Sequence, residues 1–152
     1  MLKKVWLFLV VITAMFLISS CEDKDADEHH DDHFEPVEWI ITQNDTTYMH
    51  IDKGVISDEY NKVINLKLND TLNFDILFKD EDGNFIESDE DEISLSWEIL
   101  DSFISINKNT NSTSKFAFTI NSLVKGSTAF KLIIMHGDHS DIITPQIPIY
   151  IE

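Results

Sequence analysis

Beyond residue 36 the chain is built of short apolar runs, rich in Ile, Phe, Val and Thr and separated by Asn, Asp and Gly. That punctuation commits it to β structure. Phe116, Phe118 and Ile120 fall on alternate positions, as do Phe74, Ile76 and Phe78, which is the period of a strand with one buried face. Strands are predicted at 37–42, 46–51, 63–68, 71–78, 93–100, 103–106, 114–120, 128–135 and 147–151. The first two flank Gln43-Asn44-Asp45 as a hairpin, across which Trp39 and Tyr48 are expected to pair. Only 58–66 has a helical option, and a weak one. Many short strands at close spacing predict an all-β antiparallel sandwich or barrel. Trp97, Phe74, Phe116 and Phe118 are its expected core.

The start of the chain has a different grammar. Two lysines (Lys3, Lys4) precede a mostly apolar stretch at 5–18, and Ser19-Ser20 lead into Cys21, the single cysteine. A basic start, an apolar run and small residues are the parts of a secretory signal. The run is shorter than the roughly 20 residues that a spanning helix needs. Ile18-Ser19-Ser20-Cys21 resembles the lipobox of bacterial lipoproteins, which implies a signal peptide at 1–20 and an acylated Cys21 as the first mature residue. The acidic run that follows resembles export signals of surface lipoproteins. The location implied is the outer membrane of a Gram-negative bacterium, on its periplasmic or cell-surface face. The expected partners are the lipid bilayer, through acylated Cys21, and an outer-membrane uptake protein.

Loss of residues 1–20 removes two lysines and no acid, leaving 9 basic and 28 acidic side chains and a formal charge of −19. Such a chain lacks the basic footprint that phosphate backbones require, so nucleic acid is excluded as a natural partner. Docking on anionic headgroups is disfavoured for the same reason. All 11 basic residues are lysine, so the side chain best suited to bidentate capture of carboxylate or phosphate is missing. With Cys21 acylated no disulfide can form, and stability must come from a packed core, for which residues 37–152 suffice as one domain. Residues 22–36 hold almost no apolar side chain and are predicted to be a tether, with a reach of about 50 Å when extended.

Asp70-Thr71, Lys79-Asp-Glu-Asp-Gly-Asn84, Leu95-Ser-Trp97 and Leu123-Val-Lys-Gly126 before Phe130-Lys-Leu-Ile133, in that order, resemble bacterial immunoglobulin-like domains over about residues 62–152. The implied fold is an immunoglobulin-like antiparallel β-sandwich with an added N-terminal hairpin. The ending His136-Gly-Asp-His139 followed by Pro145-Gln-Ile-Pro148, together with the acidic histidine-bearing tail, resembles a group of small bacterial lipoproteins that carry no assigned task.

Five of six histidines lie in two clusters: His29, His30 and His33 in the tether, and His136 and His139 after a strand. Neutral imidazole suits zinc, copper and nickel, and neighbouring carboxylates complete or orient such a shell. The expected centre has His136 and His139 as primary ligands, Asp138 or Asp141 as an oxygen ligand, and His29, His30 and His33 as an accessory arm. Alternating strand directions place loop 79–92, with its eight carboxylates, at the same pole as 136–139, and His50 near it. The bland alternative is a polar turn with solvated histidines. Calcium is the weaker candidate: Asp80-Glu-Asp-Gly-Asn84 lacks the register of an EF-hand loop, and Asp82-Gly83 reads as a tight turn. No nucleophile elbow, phosphate-cradling glycine loop or helical zinc-protease motif is present, so no enzyme activity is expected.

The function expected is therefore capture of zinc, or copper second, for delivery to an uptake partner. The rival is a structural or adhesive surface module contacting protein or glycan. The anchor is tested first: expressed in a Gram-negative host, the chain should enter the detergent phase on Triton X-114 partition, and Cys21→Ser should move it to the aqueous phase. Equal partition of the two would dismiss the acylated cysteine.

Overall fold

The computed structural model describes residues 34–152. Twelve strands follow one another there: β1 (Glu38–Gln43), β2 (Thr46–Asp52), β3 (Val55–Ile56), β4 (Ile64–Leu66), β5 (Thr71–Lys79), β6 (Phe85–Ile86), β7 (Ile93–Ile99), β8 (Ile104–Lys108), β9 (Phe118–Ser122), β10 (Gly126–His136), β11 (His139–Ile143) and β12 (Ile147–Ile151). The described residues contain no helix. The 58–66 option fails because 57–61 is pinned to β2: Ser57 N–H donates to His50 O (2.8 Å) and Asn61 N–H to Tyr48 O (3.1 Å).

One sheet runs β3-β2-β1-β5-β9-β8, with β6 also on β5; the other runs β11-β10-β12-β4, with β7 on the opposite edge of β10. β5-β9-β8 and β7-β10-β11/β12 match the B-E-D and C-F-G sets of an immunoglobulin-like sandwich. β4 pairs parallel to β12, and the β1–β2–β3 meander extends the first sheet beyond β5. Asn44 and Asp45 both have positive φ (50° and 59°), the two-residue type I′ turn that matches the strand twist.

Alternation decides the core. Phe74, Ile76 and Phe78 of β5, Phe118 and Ile120 of β9, and Phe130, Leu132 and Ile134 of β10 are all buried. Phe118 meets Phe130 across the two sheets at 6.1 Å between ring centroids. Trp97 is half-buried against this core.

Three expectations change. Trp39 and Tyr48 do not pair: Trp39 sits opposite Ile51, and a register shift after Ile41 leaves Tyr48 without a cross-strand partner. The rings instead meet Phe78 (5.1 Å) and Phe74 (5.3 Å) respectively. β9 starts at Phe118 and not at 114, because Ser112 and Ser114 hydroxyls accept from the N–H groups of Ser114 and Phe116, local bonds that compete with a ladder. Phe116 is buried all the same.

The third concerns the tether, predicted to run to Pro36. Phe34 is buried, stacked on Phe116 (5.6 Å, 8°) and edge-on to Phe78 (5.1 Å, 88°). One aromatic is enough to dock a polar segment when two rings already offer a slot. Phe34→Ala should lower the urea midpoint by an amount equivalent to about 3 kcal/mol, with the m-value unchanged; an unmoved midpoint would return residues 34–36 to the tether.

Candidate metal centre

The site forms at the tip of the β10–β11 hairpin. Gly137 has φ of 59° and Asp138 stays at negative φ, the pattern of a type II′ turn, which takes Gly first. The predicted loop 136–139 is thus a two-residue turn, with His136 and His139 directly opposite each other on paired strands. Cross-strand partners share a face, so the two imidazoles converge, with ring centroids 5.4 Å apart.

The third member arrives through an irregularity. Ile134 pairs with Ile142 and Met135 with Ser140, so Asp141 is the extra residue of a β-bulge. In regular register Asp141 would oppose Ile134, which is fully buried, and its carboxylate would face the core. The bulge gives that inward place to Ile142, which packs on the core, and re-aims Asp141 along the strand. Its Oδ2 then lies 3.6 Å from His136 Nδ1 and its Oδ1 3.4 Å from His139 Nε2.

Two further carboxylates come from the segment before β7. Glu92 Oε2 lies 3.6 Å and Glu90 Oε2 3.9 Å from His136 Nε2. The segment is pinned on both sides: Gly137 N–H donates to Glu92 O (3.0 Å), and the Lys115 ammonium donates to the carbonyls of Glu90 and Ser88. The expected juxtaposition of an acidic loop with the histidines is realised through these two residues. Asp80 serves its own turn instead. Its Oδ1 accepts from the N–H groups of Asn84 (2.8 Å) and Asp82 (3.0 Å), and Asn84 chiefly holds its carboxyl below the ordinary range. Asp82-Gly83 is the tight turn expected, with Gly83 at φ 82°.

His136, His139 and Asp141 each offer one ligand atom within 4.8 Å of the others and could hold a metal ion. The sequence offered Asp138 and Asp141 without choosing between them. The bulge selects Asp141, whereas Asp138 lies outside the group and only approaches His139 Nδ1 (3.5 Å). No local pattern marks a bulge, so this choice had no signal in the sequence. Cys21, His29, His30 and His33 lie outside the described residues.

His50 is engaged elsewhere, its Nε2 3.0 Å from Glu38 Oε2. Lys79 also reaches Glu38 (3.3 Å).

No family model matches the chain, and no curated protein resembles it in sequence. Among solved structures, domains 4 and 5 of the S-layer protein SbsC are similar at TM-score 0.42 and 12% identity, over 77% of this chain and 53% of that one. The chain therefore spans about half of that structure.

Burial alone would raise the Glu38 carboxyl, but bonds from His50 and Lys79 outweigh it and leave it below its ordinary value of 4.5. A carboxyl more acidic when folded contributes stability in full above pH 4.5, and loses it as pH falls through the folded value. Glu38→Gln should therefore lower stability by about 1 kcal/mol at pH 7, and the gap to wild type should narrow as pH falls from 4.5 through the folded value in urea titrations. A gap independent of pH would refute the ion-pair account.

Proposed function

We propose that the protein is a lipid-anchored, extracytoplasmic immunoglobulin-like domain that binds a divalent transition metal, zinc first and copper(II) second, and passes it to an uptake partner in the outer membrane. The observation that carries this reading is the convergence of His136, His139 and Asp141 on one ion-sized position. Two imidazoles and a carboxylate form a borderline donor set, matched to zinc more than to calcium, which prefers oxygen alone.

The fold also supports reversible binding. His139 is largely exposed, at 67%, and three protein ligands leave one position of a tetrahedral shell for solvent or an incoming donor. A buried four-ligand site would retain its ion; an open three-ligand site can release it. Acyl chains at Cys21 would keep the domain at the membrane where an uptake protein works. The tether histidines would then raise the local concentration of ion.

Calorimetric titration of the full chain with zinc tests this. Wild type should bind, and its melting temperature should rise at saturating zinc. His136→Ala/His139→Ala should weaken the hairpin site at least tenfold, and His29→Ala/His30→Ala/His33→Ala should lower the stoichiometry while sparing that site. No heat above buffer, or unchanged affinity in the double variant, would remove the metal reading and leave a structural module.

A further inference from the structure

We infer that Glu92 and Asp138 are positioning residues of the metal centre, holding its two histidines in opposite tautomers, so that His136 meets the ion through Nδ1 and His139 through Nε2. The inference rests on the metal reading above and adds which nitrogen of each ring is used and what fixes it.

A neutral imidazole carries one N–H and one lone pair, on nitrogens that point away from each other. The lone pair must face the ion, and the N–H must then find an acceptor. Ligating histidines usually give that second N–H to a carboxylate or carbonyl, which sets both tautomer and ring angle. Here every ring nitrogen has a carboxylate in view. His136 Nδ1 and His139 Nε2 both face Asp141 (3.6 and 3.4 Å). The outer nitrogens face different acids: His136 Nε2 looks toward Glu92 (3.6 Å) and Glu90 (3.9 Å), and His139 Nδ1 toward Asp138 (3.5 Å). Only the shared side brings two imidazoles and an acid together, so the ion belongs there and the outer nitrogens carry the protons.

The two supports differ in firmness. The main chain of Glu92 is fixed to the turn by the bond from Gly137 N–H (3.0 Å), and the next residue, Ile93, pairs directly with His136. The main chain of Glu92 is thereby held beside His136, while its side chain, 76% exposed, reaches the ring from the rim. Asp138 sits in the turn with its side chain in open solvent, where holding a rotamer costs entropy and water competes for the bond. Glu92 should matter more.

The test uses the full chain carrying His29→Ala/His30→Ala/His33→Ala, with ¹⁵N-labelled histidine, and reads each ring through long-range ¹H–¹⁵N correlation with and without zinc. The single changes His136→Ala and His139→Ala assign the two rings. Zinc should shift Nδ1 of His136 and Nε2 of His139 to metal-bound values while the other two nitrogens remain protonated. Chelator competition should show Glu92→Ala weakening zinc binding 10–100-fold, Glu92→Gln recovering most of it because an amide oxygen still accepts, and Asp138→Ala costing only a few-fold. The cobalt(II) absorption band should keep its shape in Glu92→Gln. Metal bound at His136 Nε2, or a Gln variant as weak as the Ala variant with an altered cobalt band, would make Glu92 a ligand and overturn the inference while leaving zinc binding intact. No zinc-dependent shift on either ring would overturn it together with the reading on which it rests.

Discussion

Side-chain parity along β10 organises both the core and the site. Phe130, Leu132 and Ile134 occupy alternate positions and are buried between the sheets. His136 is the next member of the same row, two residues on, where the sandwich runs out. The ladder that places three apolar side chains in the core must therefore present an imidazole at its rim, on the same face. That place leaves His136 with 22% of its side-chain surface exposed. It is high enough on the core to be held and near enough to the edge to meet water-borne ions.

Electrostatics then give the rim its character. The sequence carries a formal charge of −17, and acids from two separate elements surround His136: Asp141 from the bulged strand, and Glu90 and Glu92 from the approach to β7. Carboxylates brought this close repel one another, and a cation among them relieves that repulsion. Attachment of the Glu92 backbone to the Gly137 turn means the acids are gathered by the main chain and not by mutual attraction. The fold assembles a set of like charges that the side chains alone would disperse.

Much of the architecture was legible in the chain. Alternation in β5 and β9, the Asn44-Asp45 turn and the Asp82-Gly83 turn each have a local cause, so each could be read locally. The legible elements shared one property: their signal spans fewer than ten residues. What escaped depends on contacts far apart in sequence. Phe34 looks like one aromatic in a polar run until the slot between Phe78 and Phe116 exists. Tyr48 looks like a partner for Trp39 until the shift after Ile41 moves it. The two-residue strands β3 and β6 are too short to carry any period of their own. β11 is hidden by its polar start and by the bulge that breaks its alternation.

By itself, the sequence determined the class of fold and the chemical kind of site. Residue type and period two are enough to commit a chain to buried sheet faces, and histidines beside acids are enough to define a donor set. Tertiary structure alone decided which donors meet. It set His136 against His139 by cross-strand register, chose Asp141 over Asp138 through one inserted residue, and held Glu92 beside His136 through the bond from Gly137 N–H to its carbonyl. Register and bulges are settled by the packing of both sheets at once, and no stretch of the chain read alone carries that information.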